Sequence, residues 1–73
     1  MAHVGAPHHG PAEAEVIFEH RRLGAWLRVA AIDPATGLEA VATGPAESPA
    51  QLERLAAAKL ARLLAAQSAS AKA

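Results

Sequence analysis

The stretch that decides the fold is residues 15–43, EVIFEHRRLGAWLRVAAIDPATGLEAVAT. It contains three short runs rich in apolar and β-branched residues, and each run stops where a turn residue is needed. The interruptions are Leu23-Gly24 and the pentapeptide DPATG at residues 33–37, which favour tight turns over one continuous helix. The stretch therefore predicts a three-stranded antiparallel β-meander.

The first turn sets the pairing of the first two strands. If Leu23-Gly24 is the two-residue loop of a hairpin, Arg21 lies opposite Trp26 and can form a cation–π pair. In the same register Glu19 lies opposite Arg28 as an ion pair. A shift of one residue would mix charged and apolar side chains on each face, so the pattern favours this register.

The second turn is the strongest local signal in the chain. Asp33 can accept hydrogen bonds from the turn backbone, Pro34 presets the next φ angle, and Gly37 can take a positive φ at the exit. Pairing outward from a four-residue loop puts Ile32 opposite Glu39. The same register pairs Ala31 with Ala40, Ala30 with Val41, Val29 with Ala42 and Arg28 with Thr43.

A helix is predicted after the strands. Ser48 suits the N-cap, and Pro49 suits the first helical position, where its missing N–H costs no hydrogen bond. The apolar residues that follow form one stripe, which can pack on the strand face carrying Phe18 and Val29. Its members are Leu52, Leu55, Ala56, Leu60, Leu63 and Leu64. The prediction is an α+β fold, a three-stranded antiparallel β-meander with one C-terminal α-helix packed on one face.

The chain of 73 residues has room for one small domain. We expect a flexible N-terminal tail at residues 1–13, a β-β-β-α domain at 14–67 and a frayed C-terminus at 68–73. Alanine dominates the hydrophobic content of 52%, so the core buries little area per residue, and no cysteine is present to add a disulfide. Oligomerisation is the remaining means of stabilising so small a domain.

Charge balance and apolar runs bear on partners and location. Seven basic and seven acidic residues cancel, so no global field attracts nucleic acid or an anionic membrane. The N-terminus has neither the cationic nor the apolar region of a signal peptide, and no window approaches the roughly 20 apolar residues of a membrane span. We therefore expect a cytoplasmic protein with no membrane partner.

One helix can cover only one face of this sheet, and the other face is only half polar. We expect a non-enzymatic interaction or accessory module that forms a homodimer or small homo-oligomer through the helix-free face, with another protein on that surface as a variant. The bland alternative is that its β-branched residues serve strand propensity alone and the protein is a marginal monomer. The predicted interface residues are Ile17, Trp26, Ala30, Ile32 and Val41.

The densest polar cluster suggests an alternative function. Arginines beside an aromatic platform can hold phosphate or stack a base, which would make the sheet a weak RNA- or DNA-binding module. Glu19 offsets part of this charge, and only one aromatic side chain is at hand, so nucleic acid is the alternative and not the main prediction. The residues of this cluster are Arg21, Arg22, Trp26 and Arg28.

The sequence offers no catalytic, cofactor-binding or metal site. His20 and the neighbouring Glu19 point to opposite faces of a strand, so they do not form a base and its orienting partner. His3, His8 and His9 invite a metal interpretation, but we interpret them as solvated tail residues. We therefore expect no enzyme activity and no cofactor.

Four segments give the chain a family resemblance over residues 15–66. These are the strand EVIFE, the hairpin RRLG, the turn IDPATG and the link GPA before an Ala/Leu-rich helix. With them the chain resembles a family of short, uncharacterised bacterial proteins, a domain of unknown function. The resemblance implies a strand-strand-strand-helix fold and supplies no activity, substrate or site residue.

Overall fold

The computed structural model describes residues 15–72, so the tail predicted at residues 1–13 lies outside the described part of the chain. The elements are β1 (Ile17–Leu23), β2 (Trp26–Ile32), β3 (Glu39–Pro45) and α1 (Pro49–Lys72). The strands form an open antiparallel sheet in the order β1-β2-β3, and α1 packs on one face of it. The predicted α+β architecture is confirmed.

The predicted position of the first turn is wrong by one residue. The loop between β1 and β2 is Gly24-Ala25, and Leu23 ends β1 as the cross-strand partner of Trp26. Gly24 has a φ of 62°, which suits the first central position of a type II′ hairpin turn. A loop of Leu23-Gly24 would need that positive φ from a leucine, which its Cβ disfavours.

The shifted loop changes which residues pair but not which face they occupy. Each β1 residue meets a β2 residue two positions away from the predicted one, and side chains alternate with a period of two. Arg21 therefore lies opposite Arg28 and not opposite Trp26, and Glu19 lies opposite Ala30 and not opposite Arg28. Both predicted cross-strand pairs are wrong, whereas the assignment of side chains to the two faces holds.

The second turn forms as predicted. The Asp33 carbonyl accepts from the Gly37 amide at 2.8 Å, and Gly37 has a φ of 79°. The Asp33 carboxylate accepts from the backbone amide and the hydroxyl of Thr36, at 3.1 and 2.7 Å. The β2–β3 register that follows places Ile32 opposite Glu39, and all five predicted pairs of this hairpin are confirmed.

The core lies between α1 and one face of the sheet. The helix begins at Pro49 as predicted, and the Ser48 carbonyl accepts from the Leu52 amide at 3.1 Å. The predicted apolar stripe is too broad, since Leu55 is 50% exposed and Leu63 is 43% exposed. The buried residues that pack together are Leu27, Val29, Ala31, Ala40, Ala42, Leu52, Ala56 and Leu60.

The helix is longer than the sheet it covers. Its 24 residues span about 36 Å, whereas a strand of 7 residues spans about 23 Å. Leu64 is the last helical residue that packs against the core, so the following residues extend beyond the sheet. The helix continues past Gln67 to Lys72.

Side chains of α1 also reach both edges of the sheet. The Lys59 ammonium donates to the Val41 carbonyl at 2.7 Å, which places a charge beside the edge strand β3. On the other side, His20 Nε2 and Glu53 Oε2 are 2.7 Å apart and tie the helix to β1. A charged side chain at a sheet edge disfavours pairing with another strand, so the Lys59 contact protects the β3 edge.

Candidate functional site on the helix-free face

The candidate site is the face of the sheet opposite α1, which we call the open face. Cross-strand register divides its side chains into four rows of three, which we call the Trp26 row, the arginine row, the Glu19 row and the Ile32 row. From one end of the sheet to the other they are Leu23–Trp26–Pro45, Arg21–Arg28–Thr43, Glu19–Ala30–Val41 and Ile17–Ile32–Glu39. The open face thus carries large apolar side chains at both ends, with Glu39 at the β3 edge of the Ile32 row, and charged side chains between them.

Large apolar side chains are exposed at the two ends of this face. Leu23 and Trp26 are 57% and 55% exposed at one end, and Ile17 is 49% exposed at the other. Ile17 lies directly opposite Ile32, which is half-buried. Such side chains gain free energy from burial, at roughly 25 cal/mol per Å² of apolar surface. Contact with a partner would therefore release the most free energy of apolar burial at the two ends of this surface.

All five predicted interface residues lie on the open face, but they are arranged differently from the expectation. The predicted register put Ile17 beside Ala30 and Val41 across the middle, whereas Glu19 occupies that place. Ala30 is only 3% exposed, because its neighbours on the sheet already cover its small side chain. Contact area at the middle of the face therefore comes from the half-buried Val41 and from charged side chains.

The arginine row brings two like charges together. Arg21 and Arg28 are direct cross-strand partners, a placement that destabilises an antiparallel pair unless an anion lies near. Among the side chains of residues 15–69, no carboxylate lies within ion-pairing distance of either guanidinium. Glu19 follows in the next row and, with His20 and the two arginines, lines a shallow depression. This row therefore presents unneutralised positive charge.

The predicted nucleic-acid cluster is divided between the two faces. Arg21, Arg28 and Trp26 share the open face, whereas alternation places Arg22 on the helix side. There the Arg22 Nε donates to the Gly24 carbonyl at 2.9 Å, which fastens it to the first turn. The structure thus brings together three of the four predicted residues.

Leu23 is the surface residue that the sequence prediction missed. We had placed it in the first turn, so it was not counted as a side chain of the sheet. The preference for glycine at the first position of a type II′ turn was the available signal, because it ends the strand at Leu23. With Leu23 included, the Trp26 row is apolar from edge to edge.

Among the described residues, the structure contains neither a cluster of metal-ligating side chains nor a helix suited to crossing a membrane. Within residues 15–72, no three His, Asp or Glu side chains lie close enough together to hold a metal ion. The three tail histidines, His3, His8 and His9, lie outside the described part of the chain. Over the same residues, α1 lacks the apolar character that a bilayer span would require.

Comparison with known proteins supports the family but not an activity. A family model described as "Domain of unknown function (DUF6898)" matches residues 13–67, which is more than half of the chain. Neither the curated proteins nor the solved structures contain a match to this chain. The open face itself is therefore the basis on which a function can be inferred.

Proposed function

Because the chain belongs to the DUF6898 family of domains of unknown function, we propose its role from its own surface. It is a non-enzymatic interaction or accessory module that self-associates through the open face. The observation that carries this proposal is the exposure of Leu23, Trp26 and Ile17 on a face that α1 does not cover. Burying these side chains against a partner removes apolar surface from water.

A second copy of the same chain is the simplest occupant of this face. The core is built largely from alanine and a few leucine and valine side chains, so a monomer has little buried area for its stability. An isologous contact between two copies of the chain would add buried apolar area without requiring a different partner protein. Another protein binding the same surface is the variant of this proposal, and cytoplasmic location remains a prediction from the sequence.

The size of the open face sets the expected strength of association. Three strands about 4.8 Å apart and about 23 Å long present a projected area of roughly 330 Å². Stable complexes commonly bury about 800 Å² of accessible surface on each partner. We therefore expect a weak dimer, with a dissociation constant in the micromolar range or above.

The non-enzymatic character of the module is also part of the proposal. His20 is the one histidine among the described residues, and its Nε2 is engaged by Glu53 on the helix side of the sheet. His20 also lines the depression beside Arg21 and Arg28, which is shallow and open to solvent. No base, nucleophile and enclosed pocket coincide among the described residues, and catalysis would need all three.

Sedimentation velocity of the full chain tests the proposal. We expect the wild-type protein to pass from monomer to dimer as its concentration rises through the micromolar range. Ile17→Lys is expected to weaken this dimer about tenfold or more, because it places a charge in the apolar end of the contact. Leu55→Lys is the matched control, since Leu55 on α1 is 50% exposed and Ile17 is 49% exposed.

Three outcomes would contradict self-association through the open face. The first is a wild-type protein that stays monomeric over the whole concentration range. The second is a dimer that Leu55→Lys dissociates while Ile17→Lys does not, because the contact surface would then be the helix. The third is a dimer that neither substitution affects.

A specific observation also supports the second candidate function, nucleic-acid binding. Arg21 and Arg28 lie directly opposite each other and next to the Trp26 row, so two guanidinium groups and an aromatic ring share one surface. Filter binding to single-stranded and duplex RNA at low salt tests it, with Arg62→Glu on the helix as control for Arg21→Glu. Specific loss with Arg21→Glu and a steep salt dependence support the candidate, and equal loss with both variants contradicts it.

A further inference from the structure

The side chains of β1 on the open face have an order that is complementary to itself when the strand direction is reversed. From Ile17 to Leu23 they are apolar, acidic, basic and apolar, namely Ile17, Glu19, Arg21 and Leu23. Read in the opposite direction, the same pattern places apolar against apolar and acid against base. A second copy of this strand running in the opposite direction is therefore complementary to it, because apolar side chains meet apolar ones and opposite charges meet.

The second strand fits the same reversal. Its side chains on the open face are Trp26, Arg28, Ala30 and Ile32, so reversal sets Trp26 against Ile32 and Arg28 against Ala30. Ala30 is small and, at 3% exposed, already covered by its neighbours on the sheet, so the Arg28 side chain of another copy would lie over that covered position and meet no charge there. An arginine can lay its apolar stem over such a position and keep its charged end at the edge of the contact.

Two aligned sheets can meet face to face about a twofold axis in two ways. With the axis along the strands, every row meets itself, and Arg28 of one copy faces Arg28 of the other with both Arg21 side chains nearby. With the axis across the strands, the arginine row meets the Glu19 row and the Trp26 row meets the Ile32 row. The first arrangement concentrates four positive charges in one layer, whereas the second neutralises two of them.

Resting on the proposed self-association, we infer that the second copy docks with its twofold axis across the strands, so that Arg21 of each copy pairs with Glu19 of the other. This pairing also offsets the repulsion between Arg21 and Arg28 within one chain. The Glu19 carboxylate of the second copy supplies the anion that this cross-strand pair lacks among the described residues. The apolar side chains of β1 and β2 at the two ends then cover one another, with Leu23 of one copy against Ile17 of the other, while Glu39 meets Pro45 at the edge strand β3.

Charge exchange at the two paired positions tests the arrangement in the full chain. Glu19→Arg and Arg21→Glu, made singly, each place like charges opposite one another across the axis. We expect each to raise the dissociation constant at least about tenfold at low salt. The double variant carrying both substitutions keeps the net charge of the wild type and restores opposite charges at both contacts. We expect it to dimerise within about threefold of the wild type.

The readout is sedimentation equilibrium, with far-ultraviolet circular dichroism to establish that each variant keeps the helix. A dimer that Arg21→Glu strengthens would overturn the inference, because this is the result expected when each row meets itself. So would a double variant as weak as the single ones. A wild-type dimer that Ile17→Lys weakens but charge exchange leaves unchanged would overturn this inference alone, whereas a monomeric wild type would overturn the proposed function as well.

Discussion

Leu60→Ala is expected to lower the free energy of unfolding by about 2–5 kcal/mol, because Leu60 is 1% exposed and its truncation leaves a cavity in the core. It packs in the cluster that holds α1 on the sheet together with Val29, which is fully buried. A folded unit of this size has a total stability of roughly 3–9 kcal/mol. The substitution is therefore expected to remove a large share of the stability and, where the total lies at the low end of this range, to leave a detectable fraction of the protein unfolded without denaturant.

Urea denaturation followed by circular dichroism measures this loss, at one fixed protein concentration because self-association contributes to apparent stability. The matched control is Leu55→Ala, which makes the same chemical change at a helical position that is 50% exposed. We expect the control to lose under about 1 kcal/mol. Equal losses for the two variants would mean that α1 presents a different side to the sheet.

Gly44→Ala is expected to lower the free energy of unfolding by about 1–3 kcal/mol, through crowding between β3 and α1. A Cβ at Gly44 would lie 2.8 Å from Leu52 Cδ2, and Leu52 is itself 3% exposed, so it has little room to move. The reduced freedom of the unfolded chain offsets about 0.4–1 kcal/mol of the crowding, so the net loss lies toward the lower end of the range. The glycine thus permits the helix to start close against the sheet.

A double-mutant cycle with Leu52→Ala tests the cause of that loss. If the added methyl group crowds Leu52, shortening that side chain removes the conflict, and Gly44→Ala then costs about 1 kcal/mol less than in the wild-type background. Urea denaturation of the four proteins gives the coupling energy. A cost that is the same in both backgrounds would show that the crowding lies elsewhere.

The second hairpin was predictable because its turn is specified by side chains that act locally. Asp33 accepts the hydrogen bonds expected of it, and Gly37 takes the positive φ expected at the exit. A turn that closes through its own residues fixes the register of both flanking strands without help from tertiary contacts. For this reason all the predicted β2–β3 pairs are correct.

The first hairpin shows how a small error in a turn changes a site. Moving the loop from Leu23-Gly24 to Gly24-Ala25 leaves every side chain on its predicted face, because the pairing shifts by two residues. The neighbours nevertheless change, because Arg21 does not lie opposite Trp26 and Glu19 does not lie opposite Arg28. A prediction of the fold is still correct after such an error, whereas a prediction of which side chains are neighbours on the surface is wrong.

The helix illustrates what a periodic pattern leaves open. Spacing alone gave a stripe that includes Leu55 and Leu63, whereas the buried positions follow the narrower spacing of Leu52, Ala56 and Leu60. The width of the buried stripe depends on how closely the sheet approaches, and here Gly44 and small alanines in β2 and β3 provide the contact surface. The width of the buried stripe is therefore set by the surface of the sheet and cannot be predicted from the helix sequence alone.

Trp26 allows the most direct test of the claim that another copy covers the open face. It is the only tryptophan in the chain and is 55% exposed at the end of that face, so its emission reports on this surface alone. We expect acrylamide quenching of Trp26 to fall and its emission to shift to shorter wavelength as protein concentration rises through the micromolar range, with both changes reduced in Ile17→Lys. Quenching and emission that stay constant while sedimentation detects a dimer would contradict the account, because the copies would then meet through another surface.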